Sequence, residues 1–96
     1  MRRDEAIRRL TVGHAGLAPF GVRELYLFGS VARDEATDTS DVDVLVEFEA
    51  TPSLFEFVRL RRVLSEILGR RVDLVTRAAL KAQLRDRILA EAIRAA

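Results

Sequence analysis

Cysteine and tryptophan are absent from the sequence, and histidine occurs once. Without cysteine the chain cannot form a disulfide bond or a thiolate-ligated zinc site, and such a composition is typical of proteins that work in the reducing cytoplasm. The single histidine, His14, lies on the apolar stripe of a predicted helix. We interpret it as a packed side chain rather than as a metal ligand.

Long hydrophobic runs are also missing. No stretch approaches the roughly 18 apolar residues that a membrane-spanning helix requires, and no hydrophobic signal segment follows Met1, Arg2 and Arg3. We therefore expect a soluble protein located in the cytoplasm, with no membrane partner.

The overall composition is that of a globular protein. Of the 96 residues, 49% are hydrophobic and 32% are charged, with a formal net charge of +1. A chain of this length is expected to form one domain, here residues 1–96, with a modest core. Acidic residues concentrate between Asp34 and Glu49, and basic residues dominate the second half. Because the basic residues are interleaved with acidic and apolar ones and lack an aromatic platform, the sequence does not predict a nucleic-acid partner.

The stretch over residues 25–48 carries the features that best indicate a function. A predicted strand over Glu24–Phe28 runs into Gly29 and Ser30, where the chain must turn sharply. A glycine at such a turn lets a phosphate group approach the backbone closely. Ser30 is placed where it can cap the short helix that follows, and the free N–H groups at the start of that helix would attract an anion.

A second predicted strand begins at Asp41 and alternates acidic and apolar residues through Glu47. Since side chains on a strand alternate between its two faces, Asp41 and Asp43 project from the same side, about 6.6 Å apart along the strand. A third strand, over residues 71–75, presents Asp73 in the same way. Carboxylates arranged like this can share one or two Mg²⁺ ions with substrate phosphates, and Asp73 could accept a proton from an attacking hydroxyl group.

Each of these features has a simpler structural explanation when it is taken alone. Gly29 and Ser30 can form a helix cap, and Asp41 and Asp43 can form the solvated face of a sheet. Together they place like charges side by side, which lowers stability unless a cation offsets the repulsion. The acidic loop lacks the ligand spacing and central glycine of an EF-hand, and Ser30 lacks the G-x-S-x-G surroundings of a hydrolase nucleophile. We therefore interpret the aspartates as a metal site.

Three longer helices are predicted around this stretch. They cover residues 4–17, the segment that follows a capping box at Ser53 and Glu56, and Leu84–Ile93. The outer face of the middle helix carries Arg59, Arg61 and Arg62. These arginines serve either solubility or the docking of a partner, and the sequence leaves both open. The last helix has more apolar residues than one small core needs, which favours an interface.

The sequence resembles the nucleotidyltransferase superfamily that includes DNA polymerase β. The resemblance is carried by Gly29–Ser30, ten intervening residues, the Asp41 and Asp43 pair, and the later Asp73. Within that superfamily the chain is most similar to the minimal nucleotidyltransferase (MNT) antitoxins, which are encoded beside HEPN-domain ribonuclease toxins. The similarity covers nearly the whole length, including the segments LYLFGSVAR, SDVDVLVEF, GRRVDLVT and LRDRILAEA.

The resemblance implies an α/β (α+β) nucleotidyltransferase fold. The elements would follow the order αβαβαβα, and a three-stranded mixed sheet would have its helices packed on one face. It also implies a catalytic site with two Mg²⁺ ions that are held by Asp41, Asp43 and Asp73.

The resemblance further implies that Gly29 and Ser30 hold the triphosphate of ATP. Arg33 lies next to this turn and would either contact the nucleotide or form an ion pair with the acidic loop. Asp34 departs from the family pattern, since relatives commonly carry glycine there. An added negative charge beside a phosphate site would weaken nucleotide binding.

The implied function is that of an antitoxin that neutralises a cognate HEPN ribonuclease toxin. It would do so by Mg²⁺-dependent transfer of AMP from ATP to a hydroxyl group of the toxin, by family analogy a tyrosine. Two other functions remain compatible with the sequence. The chain could block the toxin by steric binding without chemistry, or it could transfer a nucleotide to a small alcohol of the aminoglycoside type, although such relatives usually carry a second domain for the acceptor.

Overall fold

The computed structural model describes residues 1–96, which form four strands, four α-helices and two 3₁₀ helices. The α-helices are α1 (Arg3–Val12), α2 (Gly29–Ala32), α3 (Leu54–Leu68) and α4 (Ala82–Glu91), and the 3₁₀ helices cover His14–Phe20 and Arg77–Ala79. The strands are β1 (Val22–Phe28), β2 (Val42–Phe48), β3 (Val72–Thr76) and β4 (Ile93–Arg94). None of the helices has both the length and the apolar character needed to cross a membrane.

The four strands form one mixed sheet in the order β3-β2-β1-β4. β1 runs antiparallel to β2 and β4, whereas β2 and β3 are parallel. The predicted mixed sheet is confirmed, but it has four strands instead of three. The prediction that the last helix reaches Ile93 is wrong, because α4 ends at Glu91 and the extended chain pairs Ile93 and Arg94 with β1. This pairing satisfies backbone groups that an open sheet edge would leave unpaired.

Apolar side chains pack on both faces of the sheet. The main core joins the valines of β2 to Leu10 of α1 and to Leu60 and Leu64 of α3. A smaller cluster on the opposite face contains Phe28, Leu45 and Leu80, and α4 packs against it. The helices therefore cover both faces instead of the single face that was expected. The reason is Leu45, which projects from the acidic face of β2 and is buried only with apolar cover there.

α1 is shorter than the helix predicted over residues 4–17. It ends at Val12, and Gly13 lies so close to α3 that an added Cβ atom would come within 2.9 Å of the Ile67 side chain. The chain then tightens into a 3₁₀ helix, which changes the direction of the side chains that follow. His14 is exposed there. The interpretation of His14 as a packed side chain is therefore wrong.

α3 begins at the capping box that the sequence predicts. The Ser53 hydroxyl accepts a hydrogen bond from the Glu56 backbone N–H at 3.1 Å, and the Glu56 carboxylate accepts one from the Ser53 backbone N–H at 3.4 Å, which completes the capping box. Gly69 follows the last turn with a φ of 66°, the left-handed conformation that ends many helices. The buried leucines of α3 share the main core with β2 and β3, the two strands that carry Asp43 and Asp73.

Candidate active site

The end of β1 brings the Gly29 turn against the first acidic residues of β2. Phe28, the last residue of β1, pairs with Asp43 across the antiparallel strands. Gly29 has a φ of 69°, and a Cβ atom added to it would overlap the Asp43 carboxylate. Because only glycine fits between the turn and this carboxylate, the predicted phosphate turn and the predicted acidic pair are direct neighbours.

Asp73 reaches the same region from the neighbouring strand. β2 and β3 are parallel, and Asp43 pairs with Asp73 in their register, so the two side chains occupy adjacent positions on strands about 4.8 Å apart. Asp41 lies two residues before Asp43 and lines a surface cleft together with Asp73. Asp43 is half-buried, whereas Asp41 and Asp73 are exposed. The structure thus places the three predicted carboxylates side by side.

The electrostatics of this cluster are dominated by Asp43. The pKa of the Asp43 carboxyl is raised from 3.8 to about 6. Burial is the main cause, and the neighbouring negative charges of Asp73 and Asp41 contribute the rest of the rise. Crowded like charges of this kind disfavour the ionised form unless a cation lies among them. The site is therefore one whose charge state would change when a cation binds.

The carboxylates match Mg²⁺ in charge and in ligand type. The side chains alone do not complete a site, because no group of three or more acidic or histidine side chains could hold an ion by itself. Mg²⁺ is commonly held by one or two carboxylates together with phosphate oxygens of a substrate. The donor set therefore fits a magnesium–nucleotide complex better than an isolated ion.

The raised pKa of Asp43 predicts a pH-dependent stability. The folded chain holds this proton up to about pH 6, whereas the unfolded chain releases it near pH 3.8. The contribution of the proton to the free energy of unfolding is therefore fully present below pH 3.8 and is lost as the pH rises through 6. Replacement Asp43→Asn removes this loss. At pH 7.5 in EDTA we expect the variant to have a free energy of unfolding about 1 kcal/mol above that of the native chain, after allowance for solvent screening.

Urea titrations of both chains at pH 4 and pH 7.5 measure this difference. At pH 4 it should shrink toward zero, because the native carboxyl is then protonated. The exposed residue Asp38 provides the control, since Asp38→Asn should leave the pH dependence unchanged. Parallel pH profiles for the native chain and Asp43→Asn would show that the carboxylate is not destabilising.

Ser30 does not cap the helix that it was expected to cap. α2 already begins at Gly29, the N-cap position is Phe28, and no side chain caps the helix. The sharp turn at Gly29 places Ser30 inside the first turn, where a side chain cannot reach forward to the N–H groups ahead of it. Ser30 is half-exposed, and its hydroxyl is therefore not committed to a cap.

Glu91, at the end of α4, closes the Gly29 turn from the opposite side. Its Oε1 accepts a hydrogen bond from the Gly29 N–H at 2.9 Å, and its Oε2 accepts one from Nη1 of Arg33 at 2.9 Å. The hydrogen bond from Gly29 is the main reason why the pKa of Glu91 is lowered. Arg33 also forms an ion pair with Glu35 at 3.4 Å, so the predicted ion pair with the acidic loop is present.

Sequence reasoning missed Glu91. It lies 62 residues from Gly29 in the chain, and the pattern of the last helix indicated only apolar rows. The one available signal was an acidic side chain at the end of the last helix, which is also an ordinary feature of a solvated surface.

Asp34 makes a contact that the sequence did not indicate. It is the only residue other than glycine with a positive φ, 57°, which explains why glycine is favoured there. Its carboxylate accepts a hydrogen bond from the Arg3 backbone N–H at 2.6 Å. Asp34 therefore caps the start of α1, and its charge is partly neutralised by that helix end.

The nucleotidyltransferase domain is the family whose sequence profile matches this chain, over residues 16–95. The chain belongs to this family. It is 49% identical over 74 residues to the protein adenylyltransferase MntA of Thermococcus cleftensis, a match that covers 77% of this chain and 75% of the relative. A Methanocaldococcus jannaschii protein that also bears a protein adenylyltransferase name is 47% identical over 77 residues, covering 80% of this chain and 83% of that protein.

Solved structures agree with this family. One described as a minimal nucleotidyltransferase has a TM-score of 0.82 and 39% sequence identity, and the match covers 97% of this chain and 95% of that one. A toxin–antitoxin structure with AMP-PNP has a TM-score of 0.69 at 21% identity, covering 100% of this chain and 73% of the other. At that identity the second likeness shows the fold only. The nucleotidyltransferase fold expected from the sequence is thereby confirmed.

Proposed function

We propose that this nucleotidyltransferase is an antitoxin that adenylylates a cognate HEPN-domain ribonuclease toxin. It transfers AMP from ATP to a tyrosine hydroxyl of the toxin, and the reaction depends on Mg²⁺. The observation that carries this proposal is the adjacency of the Gly29 turn, Asp43 and Asp73 at neighbouring strand positions. Further support comes from the protein adenylyltransferase names of relatives that are 47–49% identical.

In this proposal the turn after β1 binds the triphosphate. The Gly29 N–H already binds an anionic group, the Glu91 carboxylate. The hydroxyl of Ser30, which does not cap α2, donates a hydrogen bond to a phosphate oxygen. Arg33, which is exposed, offsets part of the phosphate charge.

Asp41, Asp43 and Asp73 would hold two Mg²⁺ ions together with phosphate oxygens of the substrate, and these ions would supply positive charge to the triphosphate. Asp73 faces the cleft and accepts the proton of the tyrosine hydroxyl. The tyrosine oxygen forms a bond to the α-phosphorus while the bond from that phosphorus to the bridging oxygen of the β-phosphate breaks. Diphosphate leaves, and AMP remains on the toxin.

Glu91 makes this scheme testable, because its carboxylate occupies the Gly29 N–H that a phosphate would use. Replacement Glu91→Gln keeps an oxygen acceptor for that N–H and removes the negative charge. We expect the Kd for AMP-PNP with Mg²⁺ to fall about fivefold, since charge interactions at partly exposed positions are worth about 1 kcal/mol. Isothermal titration calorimetry measures the change.

The exposed residue Asp86 on the same helix supplies the matched control for Glu91, and Asp86→Asn should leave the Kd unchanged. Weaker nucleotide binding by Glu91→Gln would contradict competition between Glu91 and phosphate. It would mean instead that the carboxylate holds Gly29 and Arg33 in the conformation that binds the nucleotide.

Labelled ATP tests the proposed reaction. The purified cognate toxin is incubated with the chain, Mg²⁺ and ATP labelled at either the α- or the γ-phosphate. AMP transfer predicts that the toxin is labelled from the α-phosphate only, and that EDTA abolishes labelling. Label from the γ-phosphate would indicate phosphorylation, and inhibition of the ribonuclease without any label would indicate steric neutralisation. Either result would overturn the proposal.

A further inference from the structure

An exposed apolar patch lies on the first two turns of α3. Leu54 and Phe55 are 79% and 80% exposed, and Val58 is 43% exposed. These side chains line a shallow pocket with Arg59 and Arg62. Large apolar side chains that are exposed together and rimmed by charged groups are typical of protein interaction sites.

A basic cleft adjoins this patch. Arg61, Arg62 and Arg71 line it together with Asp41 and Asp73. None of these three arginines takes part in an ion pair of the chain, all of which involve arginines at other positions. The cleft therefore offers several unpaired guanidinium groups to an acidic partner.

The patch and the cleft form one continuous surface. Val58 and Arg62 line both of them, and the cleft is also lined by Asp73, the residue to which the proposed function assigns the acceptor hydroxyl. A molecule anchored on the patch would thus extend along the arginines toward the reacting group. Orientation of an acceptor in this way supplies a large part of the rate in transfer reactions.

We propose that this surface docks the protein acceptor. The acceptor segment carries an apolar side chain that covers Leu54, Phe55 and Val58, and flanking carboxylates that pair with the arginines of the cleft. The inference rests on the proposed function, since it identifies the acceptor side of the same site. We call this region the docking surface; it consists of Leu54, Phe55, Val58, Arg61, Arg62 and Arg71.

Other occupants fit the docking surface less well. Nucleic acid would bring phosphates next to Asp41 and Asp73, which repel them, and two of the three apolar side chains are aliphatic and offer no stacking face. A second copy of this chain would have to supply the acidic groups. Asp34, Glu35 and Glu47 of its acidic segment already have partners, which leaves Asp38 and Glu49 as the acidic groups of that segment outside the aspartate site.

The apolar part of the inference is tested with Phe55→Ser. Phe55 and Val12 are each 80% exposed, but Val12 lies on α1 and lines a separate pocket that shares no residue with the docking surface, so Val12→Ser is a matched control. We expect Phe55→Ser to raise the Kd for the purified cognate toxin at least about tenfold, the effect typical of an interface anchor. Val12→Ser should leave the Kd within about twofold of the native value. Biolayer interferometry measures both.

The charged part is tested with Arg62→Glu. Arg8 is exposed on α1 and forms no ion pair, so Arg8→Glu changes the net charge equally at a position outside the docking surface. Arg62→Glu should slow association with the toxin about tenfold and reduce its dependence on salt, because complementary charges steer encounter. Arg8→Glu should show a much smaller change. All four variants should keep the native melting temperature, and Phe55→Ser and Val12→Ser should keep the native affinity for AMP-PNP.

The outcomes separate this inference from the proposed function. If the native chain labels the toxin but Phe55→Ser and Arg62→Glu bind it as tightly as the native chain does, the docking surface is wrong and the transferase stands. If toxin binding depends on the docking surface but no AMP is transferred, the transferase is wrong and the docking surface stands. Loss of self-association in Phe55→Ser, or of binding to a single-stranded RNA oligonucleotide in Arg62→Glu, without any effect on toxin binding, would overturn the protein acceptor as its occupant.

Discussion

The double replacement Asp41→Asn, Asp43→Asn should reduce AMP transfer to the toxin by roughly a thousandfold or more, the loss seen when groups that stabilise a charged transition state are removed. Asparagine keeps the size of each side chain and removes the charge that holds Mg²⁺ against the triphosphate. A rate measurement at saturating ATP and toxin detects the loss as a fall in kcat.

This variant should remain folded. Neutralising Asp43 removes repulsion from Asp73 and Asp41, so we expect stability in EDTA to be at least that of the native chain. Loss of activity with unimpaired stability distinguishes a chemical role from a structural one. The exposed acidic-loop variant Asp38→Asn should retain full activity. A double variant that transfers AMP at the native rate would exclude these carboxylates from the reaction.

Replacement Gly29→Ala should disrupt both folding and nucleotide binding. Two effects add at this position, the positive φ of 69° and the overlap between a Cβ atom and the Asp43 carboxylate. The left-handed conformation alone costs about 1–2 kcal/mol for alanine, and displacement of Asp43 should add to that and disorder the phosphate turn. We expect a free energy of unfolding lower by about 3 kcal/mol, within the range for strained backbone and overpacked sites, and at least a tenfold rise in the Kd for AMP-PNP.

Two other glycines separate these effects. Gly21 has a φ of 65° with no neighbouring atom in the way of a Cβ, and Gly16 has neither constraint. Gly21→Ala should therefore lower the free energy of unfolding only by the strain of the left-handed backbone, and Gly16→Ala should leave it nearly unchanged. Chemical denaturation of the three variants provides the comparison. Equal losses for Gly29→Ala and Gly21→Ala would show that the carboxylate is not held against the turn.

The sequence predicts most of what forms the site because the responsible signals are local. Strand alternation places Asp43 and Leu45 on one face and the valines of β2 on the other, and the structure has this arrangement. The capping box at Ser53 sets the start of α3 in the same local way. The placement of Asp73 needed one further step, the parallel pairing of β2 and β3, and there the family resemblance indicated the neighbouring strand.

The features that the sequence did not predict arise from contacts between distant segments. Glu91 reaches the Gly29 N–H only because α4 packs on the face of the sheet that was expected to be bare. β4 forms because the edge of β1 is open for pairing. Two residues, Ile93 and Arg94, are too few to show a strand periodicity in the sequence. His14 is exposed because close packing of Gly13 on α3 ends α1 early. Helical periodicity extends through such positions and cannot detect a tertiary contact that interrupts it.

Intact-mass spectrometry of the toxin tests the central claim most directly. The cognate toxin is incubated with the chain, ATP and Mg²⁺, separated from the chain, and then weighed and assayed for ribonuclease activity. The proposed function predicts that the mass of the toxin rises by one or more adenylyl groups located on tyrosine, and that the separated toxin stays inactive. A toxin that is inhibited in the mixture but regains full activity after separation, with its mass unchanged, would contradict the proposal.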